Sequence, residues 1–426
     1  MNKTRRISLV LVCVVAIAIL GLFVIRNLID FPVYYAAGRS LIQGRTDLYS
    51  PDFAVGRVMD YRYPPFFLIA LFPFWLIPYR VAAYIWYLLS VLEIAGCVLI
   101  VGRIFPALRE RKVMWLPVAL AVGQYFVMVL HYGNAHLLLV FLLFGSLHLV
   151  LQRKTLWAAL LMALAITIKL TPILLLPYFA LKKQWNFLIG VVAFLIVINL
   201  APSAHFGFRR NAELLATWYR HVVSSQEFHE DNGPINLSLK GQLRRYLTDV
   251  DYSQRVDGDV DYAAVNLGSV SREHAVELWA VIAGVLFSGV MFLIWWARQG
   301  FRRPATSLEL ALMICLILMI GPLTSKIYFI ALLWPVASLV SLAADTTNRM
   351  GKVVFLVLTL LAVTNFVLPL LPGRSTQRLL LVVGVDFYLN CLLTATLIYS
   401  LVCFGRGLQA TSDALQTLAR SEARTP

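Results

Sequence analysis

An aspartate stands where the first long apolar run of the chain ends. Residues 28–36 read LIDFPVYYA, with Asp30 followed by Tyr34 and Tyr35. A carboxylate beside a hydroxyl can take its proton as the hydroxyl attacks, and partial removal from water makes the carboxylate more basic. The same position suits a solvated helix-end aspartate at a lipid boundary, and position alone leaves both readings open. Lys169, in ALAITIKLTPILLLP, and Lys326, in GPLTSKIYFI, are cations in apolar context. An ionisable residue there is costly and is by default a functional hypothesis. The plainer reading is a stem that carries the ammonium to the interface. Neither lysine has an acidic neighbour in sequence, which points to an anionic partner such as phosphate.

The turn HYGNAH (131–136) offers His131, Asn134 and His136 around Gly133. Two histidines five apart across a glycine turn do not match a zinc pattern, so hydrogen bonding at a helix entrance is expected. Asn134 is placed to cap the helix that follows. Glu93 and Asp386, inside apolar runs, are read as interhelical hydrogen-bonding groups. INLSLKGQLRRYL (235–247) has amphipathic spacing and carries Lys240, Arg244 and Arg245. Such a helix lies on a membrane surface and attracts anionic headgroups, or closes over a phosphorylated lipid. The acidic stretch DVDYSQRVDGDVDY (249–262) lacks EF-hand spacing and reads as a solvated loop. With no Walker loop, dinucleotide fingerprint or nucleophile elbow, soluble nucleotide chemistry has no evident home. No metal and no cofactor are expected.

The elements that must position these residues are membrane spans. Of 426 residues, 60% are hydrophobic and 14% charged, against roughly 25% charged in a soluble domain. Apolar runs long enough to cross about 30 Å of hydrocarbon recur throughout. The fold expected is an all-α polytopic membrane bundle of about 11–13 transmembrane helices; a barrel would alternate polar and apolar residues. Candidate spans fall at 7–28, 80–102, 113–130, 134–151, 155–168, 171–181, 185–201, 275–298, 305–321, 327–344, 352–371 and 379–404. The Pro-interrupted segment 64–79 reads as re-entrant or broken, and 155–181 as two short helices hinged at KLTP. The uncleaved N-terminal run is taken as the first span.

The net charge of +15 sits mainly in short connectors: Arg109, Arg111 and Lys112; Arg153 and Lys154; Lys182 and Lys183. Basic connectors mark the cytoplasmic side, so the longer, charge-balanced loops 30–63 and 202–274 face outward. The charge is an orientation signal, and nucleic acid is not a partner. Within the first loop, AAGRSLIQG reads as an amphipathic helix on the membrane surface. The five cysteines lie in or beside apolar segments and imply no disulfide framework. The organisation expected is one transmembrane domain over 1–404, followed by a frayed or disordered cytoplasmic tail, 405–426. This arrangement gathers Asp30, HYGNAH, KLTP, the 202–274 loop and GPLTSKIY on the external face.

In that order and spacing these motifs resemble glycosyltransferase family 87, polyprenyl-phosphate-mannose-dependent enzymes of the GT-C superfamily. The resemblance rests on Asp30 with VYYAAGRSLIQGRTDLY and YPPFF, then GNAH, ALAITIKLTPILLLP, NLSLKGQLRR and PLTSKIYFIALLWP. Asn134 and His136 stand where Gln and Asn are usual, and Thr324-Ser325-Lys326-Ile327-Tyr328 departs from the usual last turn; both bear on sugar identity. The resemblance implies an inverting transferase, in which Asp30 deprotonates an acceptor hydroxyl that displaces a lipid phosphate from a sugar, most simply mannose. Lys326, Lys169 and Arg244 would bind the donor phosphate. Tyr34, Tyr35, Tyr63, His131, Asn134, His136, Asn236 and Tyr328 would contact sugar or acceptor. The partners implied are a polyprenyl-phosphate sugar, a glycolipid or glycan acceptor and membrane lipids, at a bacterial inner membrane with the site facing the periplasm. The rival readings are a lipid-linked sugar transporter, which internal symmetry would favour and this chain does not display, or a GT-C enzyme for arabinose or glucose.

Overall fold

The computed structural model describes residues 3–50, 53, 60–224, 233–249, 265–297, 303–344, 349–367 and 374–422. Among them the regular structure is helical, with short 3-10 and π turns and no strand. Six helices are long and apolar enough to cross a membrane: Tyr79–Ile104, Lys112–Tyr132, Trp185–Phe206, Arg272–Trp296, Lys326–Ala344 and Val385–Cys403. Shorter apolar helices, among them His136–Leu151 and Thr155–Ile168, accompany them. The chain is an all-α polytopic membrane protein. Most of the acidic stretch after Asp249 lies outside the described residues.

Proline and glycine set the breaks. Residues 64–78 form two pieces, Pro65–Ala70 and Phe72–Trp75; at 1.5 Å per residue neither approaches the roughly 30 Å of a bilayer core. Thr155–Ile168 ends at Lys169, whose backbone is extended (φ −152°, ψ 133°). Pro172, which has no N–H to continue the helix, falls in the 3-10 turn Thr171–Leu175 that follows. The run expected as one span over 379–404 is two helices, Arg374–Val383 and Val385–Glu422. They part at Gly384, whose φ of +80° glycine adopts without a Cβ penalty. The tail, expected as a frayed helix or disorder, is helix through Glu422, in a sequence rich in the helix formers Ala, Leu, Gln and Arg.

The chain forms two compact units. Unit one is Met1–Ile100, Tyr125–Ile173 and Asn186–Glu230; unit two is Val101–Gln124, Leu174–Trp185 and Asp231–Pro426. The core of unit one is aromatic, with Phe31, Tyr34, Trp75 and Trp86 among its buried residues. The helix expected to lie on the membrane surface is Phe31–Ile42, and it is part of that core instead: Phe31, Tyr34, Ala37, Gly38 and Leu41 are buried. A Cβ on Gly38 would overlap the Trp75 indole, so the glycine lets the ring lie directly on the backbone. In unit two, Lys182, read above as an orientation charge, has an 8% exposed side chain and an ion pair with Glu309 at 2.7 Å.

Candidate active site

The HYGNAH turn of unit one is built against Asp30. The carbonyl of Tyr132 accepts the N–H of Ile29 at 3.1 Å and of Asp30 at 2.9 Å. Gly133 follows with φ +62°, and a Cβ there would stand 2.9 Å from Leu28 Cδ2. The Trp86 indole donates to the Gly133 carbonyl at 3.0 Å. So placed, Asn134 Nδ2 donates to Asp30 Oδ2 at 2.5 Å, and Asn134 Oδ1 accepts the backbone N–H of His136 at 2.5 Å. A backbone N–H can only donate, so this second bond fixes which end of the amide faces the carboxylate. Asn134 stands one residue before Ala135, which is the N-cap in place of the asparagine expected there; it accepts the first N–H of the helix and also holds Asp30.

The Asp30 side chain makes no cap hydrogen bond to its own helix. It is half-buried, and burial raises its carboxyl above the ordinary aspartate range while the Asn134 hydrogen bond pulls it part of the way back. The result is a carboxylate made more basic and aimed by one amide, which are the two things a general base needs.

The aromatic candidates divide. Tyr34 is 3% exposed, edge-on to Tyr63, Phe67 and Trp86. Its hydroxyl lies 2.8 Å from that of Tyr63 and accepts the Ala135 N–H at 3.4 Å. With no ring face open for a sugar, Tyr34 ties the first loop to the HYGNAH turn. Tyr35 and Tyr63 are half-buried; Tyr35 donates to the Ile77 carbonyl at 2.7 Å, and Phe67 stacks on Tyr63 at 4.4 Å. The two histidines are not presented together: His136 is buried and His131 is exposed, edge-on to Tyr132. Lys169 follows Ile168, which packs on the core around Phe31 and Ala135. Its ammonium nitrogen is buried and does not reach out to an interface.

Unit two brings together three stretches that are distant in sequence. Asn236 donates to the Pro322 carbonyl at 3.0 Å, and its oxygen accepts the N–H of Ser238 and of Thr324, each at 3.1 Å. Leu237 N–H donates to the Thr324 carbonyl at 2.6 Å. Asn236, expected to touch sugar or acceptor, is thus a staple between the NLS and PLT motifs, its amide spent on backbone. Ser238 caps the Leu239–Leu247 helix through Gly241 N–H, and a Cβ on Gly241 would collide with the Asn236 carbonyl.

That helix is not a surface element. Lys240, Arg244 and Arg245 are 1%, 4% and 0% exposed. Lys240 lies over the Trp279 ring at 5.6 Å, and Arg245 donates to the Pro234 carbonyl at 2.8 Å. Lys326, which has no acidic neighbour in sequence, lies 3.7 Å from Asp386 Oδ2. Asp386, expected to make an interhelical hydrogen bond, makes this ion pair. Tyr328 is half-buried, with its N–H on the Ser325 carbonyl.

Sequence reading missed Glu309, which is fully buried between the Lys182 ammonium and the Tyr178 hydroxyl, at 2.7 and 2.9 Å. Its signal was a lone acid inside SLELALMICLILMI. It also missed Gln242 and Gly384. Glu93 is half-buried on the Tyr79–Ile104 helix. No group of three His, Cys, Asp or Glu among the described residues is arranged to hold a metal ion.

The model of glycosyltransferase family 87 matches residues 61–325. That stretch contains Tyr63, His131, Asn134, His136, Lys169, Asn236 and Arg244, while Asp30 and Lys326 lie outside it. Among curated proteins, the polyprenol-phosphate-mannose-dependent alpha-(1-2)-phosphatidylinositol pentamannoside mannosyltransferase of Mycolicibacterium smegmatis is 29% identical over 169 residues, 37% of this chain. The match spans 39% of that relative's length. No solved structure matches.

Proposed function

This chain belongs to glycosyltransferase family 87; we propose that it is a membrane glycosyltransferase that moves a sugar, mannose first among candidates, from a polyprenyl-phosphate donor to a glycolipid or glycan acceptor, with inversion and with Asp30 as general base. The single observation that carries the reading is the Asp30–Asn134 arrangement. The carboxylate is withheld from capping its own helix, is half-buried, and accepts a hydrogen bond from an amide locked in orientation. The donor class is supported by the relative in Mycolicibacterium smegmatis, whose name specifies a polyprenol-phosphate-mannose-dependent enzyme.

In the proposed reaction the acceptor hydroxyl attacks the anomeric carbon and gives its proton to Asp30. The bond from that carbon to the phosphate oxygen breaks on the opposite face, and its electron pair leaves with polyprenyl phosphate. Fixed cations stabilise the charge that collects on the phosphate, an electrostatic contribution of roughly 3–4 kcal/mol per well-placed group. Lys169, which belongs to the same unit as Asp30, is assigned to that task. Tyr35, Tyr63 and His131, all of unit one, are assigned to sugar or acceptor, His136 to the turn that carries Asn134. The active face is the external one, the periplasm in a bacterium.

The test incubates purified wild-type and Asp30→Asn protein with radiolabelled polyprenyl-phosphate mannose, a membrane glycolipid extract and EDTA. Labelled product from wild type, lowered roughly 10²- to 10⁴-fold in the variant, is the expected result for loss of a general base. Equal product from both removes Asp30 from the mechanism. No product from either, with product from another polyprenyl-phosphate sugar, changes the sugar.

A further inference from the structure

Gln242 is buried on the Leu239–Leu247 helix at 4% exposure, and neither its amide oxygen nor its amide nitrogen has a hydrogen-bond partner among the described residues. A buried amide left in that state costs free energy, so such groups are met by water or ligand. The surroundings of Gln242 are made for its side chain. Gly384 stands against the amide, where a Cβ would overlap both of its polar atoms, and Tyr246, one helical turn on, donates to the Val383 carbonyl at 3.0 Å. Two residues after Gly384 comes Asp386, paired with Lys326. The glycine break between Arg374–Val383 and Val385–Glu422 therefore brings a neutral amide and a lysine–aspartate pair to the same stretch of unit two.

The chemistry of the amide indicates the class of ligand. A phosphate diester presents acceptors alone and leaves the carbonyl oxygen of Gln242 without a donor. Adjacent hydroxyls of a sugar ring supply both a donor and an acceptor, matching the two ends of a carboxamide. We infer that Gln242, with the Gly384 break that accommodates it, is a sugar-hydroxyl-binding residue of unit two. This rests on the polyprenyl-phosphate-sugar reading above and extends it to a residue that sets sugar affinity.

The experiment compares binding of polyprenyl-phosphate mannose and bare polyprenyl phosphate to detergent-solubilised wild-type, Gln242→Leu and Gln242→Glu protein. Leucine has nearly the volume of glutamine and leaves no unsatisfied amide, so the variant should fold and melt no lower than wild type. The expected result is a wild-type preference for the mannosyl lipid that falls roughly tenfold or more in Gln242→Leu, with bare-carrier affinity unchanged. Gln242→Glu, which keeps an acceptor and loses the donor, should fall between them for the mannosyl lipid. Equal loss for both lipids would place Gln242 at the phosphate or in the scaffold, and unchanged binding would leave it to water; either overturns the inference and spares the donor assignment. Wild-type protein that binds neither lipid overturns both.

Discussion

Replacing Asn134 by alanine separates two tasks of its amide. The variant loses the donor on Asp30 Oδ2 and the acceptor for His136 N–H. A hydrogen bond to an ionised group is worth about 1.5–3 kcal/mol, and about 1.4 kcal/mol is tenfold in an equilibrium. The ionised fraction of Asp30 on the acid side of its titration should therefore fall roughly 10- to 150-fold. The sign is fixed by role: the base works ionised, so activity is lost as pH falls through its pKa. Burial already raises that pKa above the ordinary aspartate value, and the Asn134 bond lowers it, so the variant's acid limb must move to higher pH. On the alkaline plateau the two proteins should approach one another, apart from what the amide contributes to orientation. Loss of the helix-start bond should cost about 1 kcal/mol of stability, read separately in a melt. The assay is kcat/KM for the acceptor across pH at fixed donor. A loss of equal size at every pH, with the acid limb unmoved, would refute the argument that Asn134 tunes the carboxylate.

Three further outcomes are expected. Gly384→Ala combines a left-handed backbone with overlap of the Gln242 amide and should lower stability by at least about 1 kcal/mol, whereas Gly284→Ala, with open space around its position, should be neutral or slightly stabilising in the same thermal assay. Asn236→Ala strips the Ser238 and Thr324 N–H groups and the Pro322 carbonyl of their partner and should cost about 2–4 kcal/mol; Asn236→Asp, which keeps the shared acceptor, should recover part of it. Lys182→Met leaves Glu309 buried without its cation and should destabilise by about 3–5 kcal/mol, while the double variant Lys182→Met/Glu309→Gln should cost less than the single one; a double variant as unstable as the single would remove the pairing argument.

What the sequence made legible follows a physical line. Spans are written in local composition, so their positions were readable, and the breaks at Pro172 and in residues 64–78 announced themselves through proline. Asp30 stood out because a carboxylate at the end of an apolar run is followed by Tyr34 and Tyr35. Its partner Asn134 lies 104 residues away, a distance no periodicity encodes, and local geometry alone made it a cap. The Leu239–Leu247 helix misled for a related reason: amphipathic spacing reports that a helix has a polar face, not what the face meets. Lys326 seemed without an acid because its acid arrives 60 residues later in Asp386, and Lys182 read as a surface charge because Glu309 lies on a helix far along the chain. Gly384 sat inside an apolar run, where its positive φ left no compositional trace.

The Asn236 staple also sets an order of events during synthesis. Asn236 leaves the ribosome 86 residues before the Pro322 carbonyl that its amide meets, an interval of roughly 4–17 seconds at about 5–20 residues per second. Until then the Leu237 N–H has no Thr324 carbonyl to bond to, and Gly384, which accommodates Gln242, is later still. Lys240, Arg244 and Arg245 are side chains that water solvates well, and in the finished fold they are buried. A nascent chain ending before Pro322 should therefore expose residues 236–247 to protease, and the completed chain should protect them.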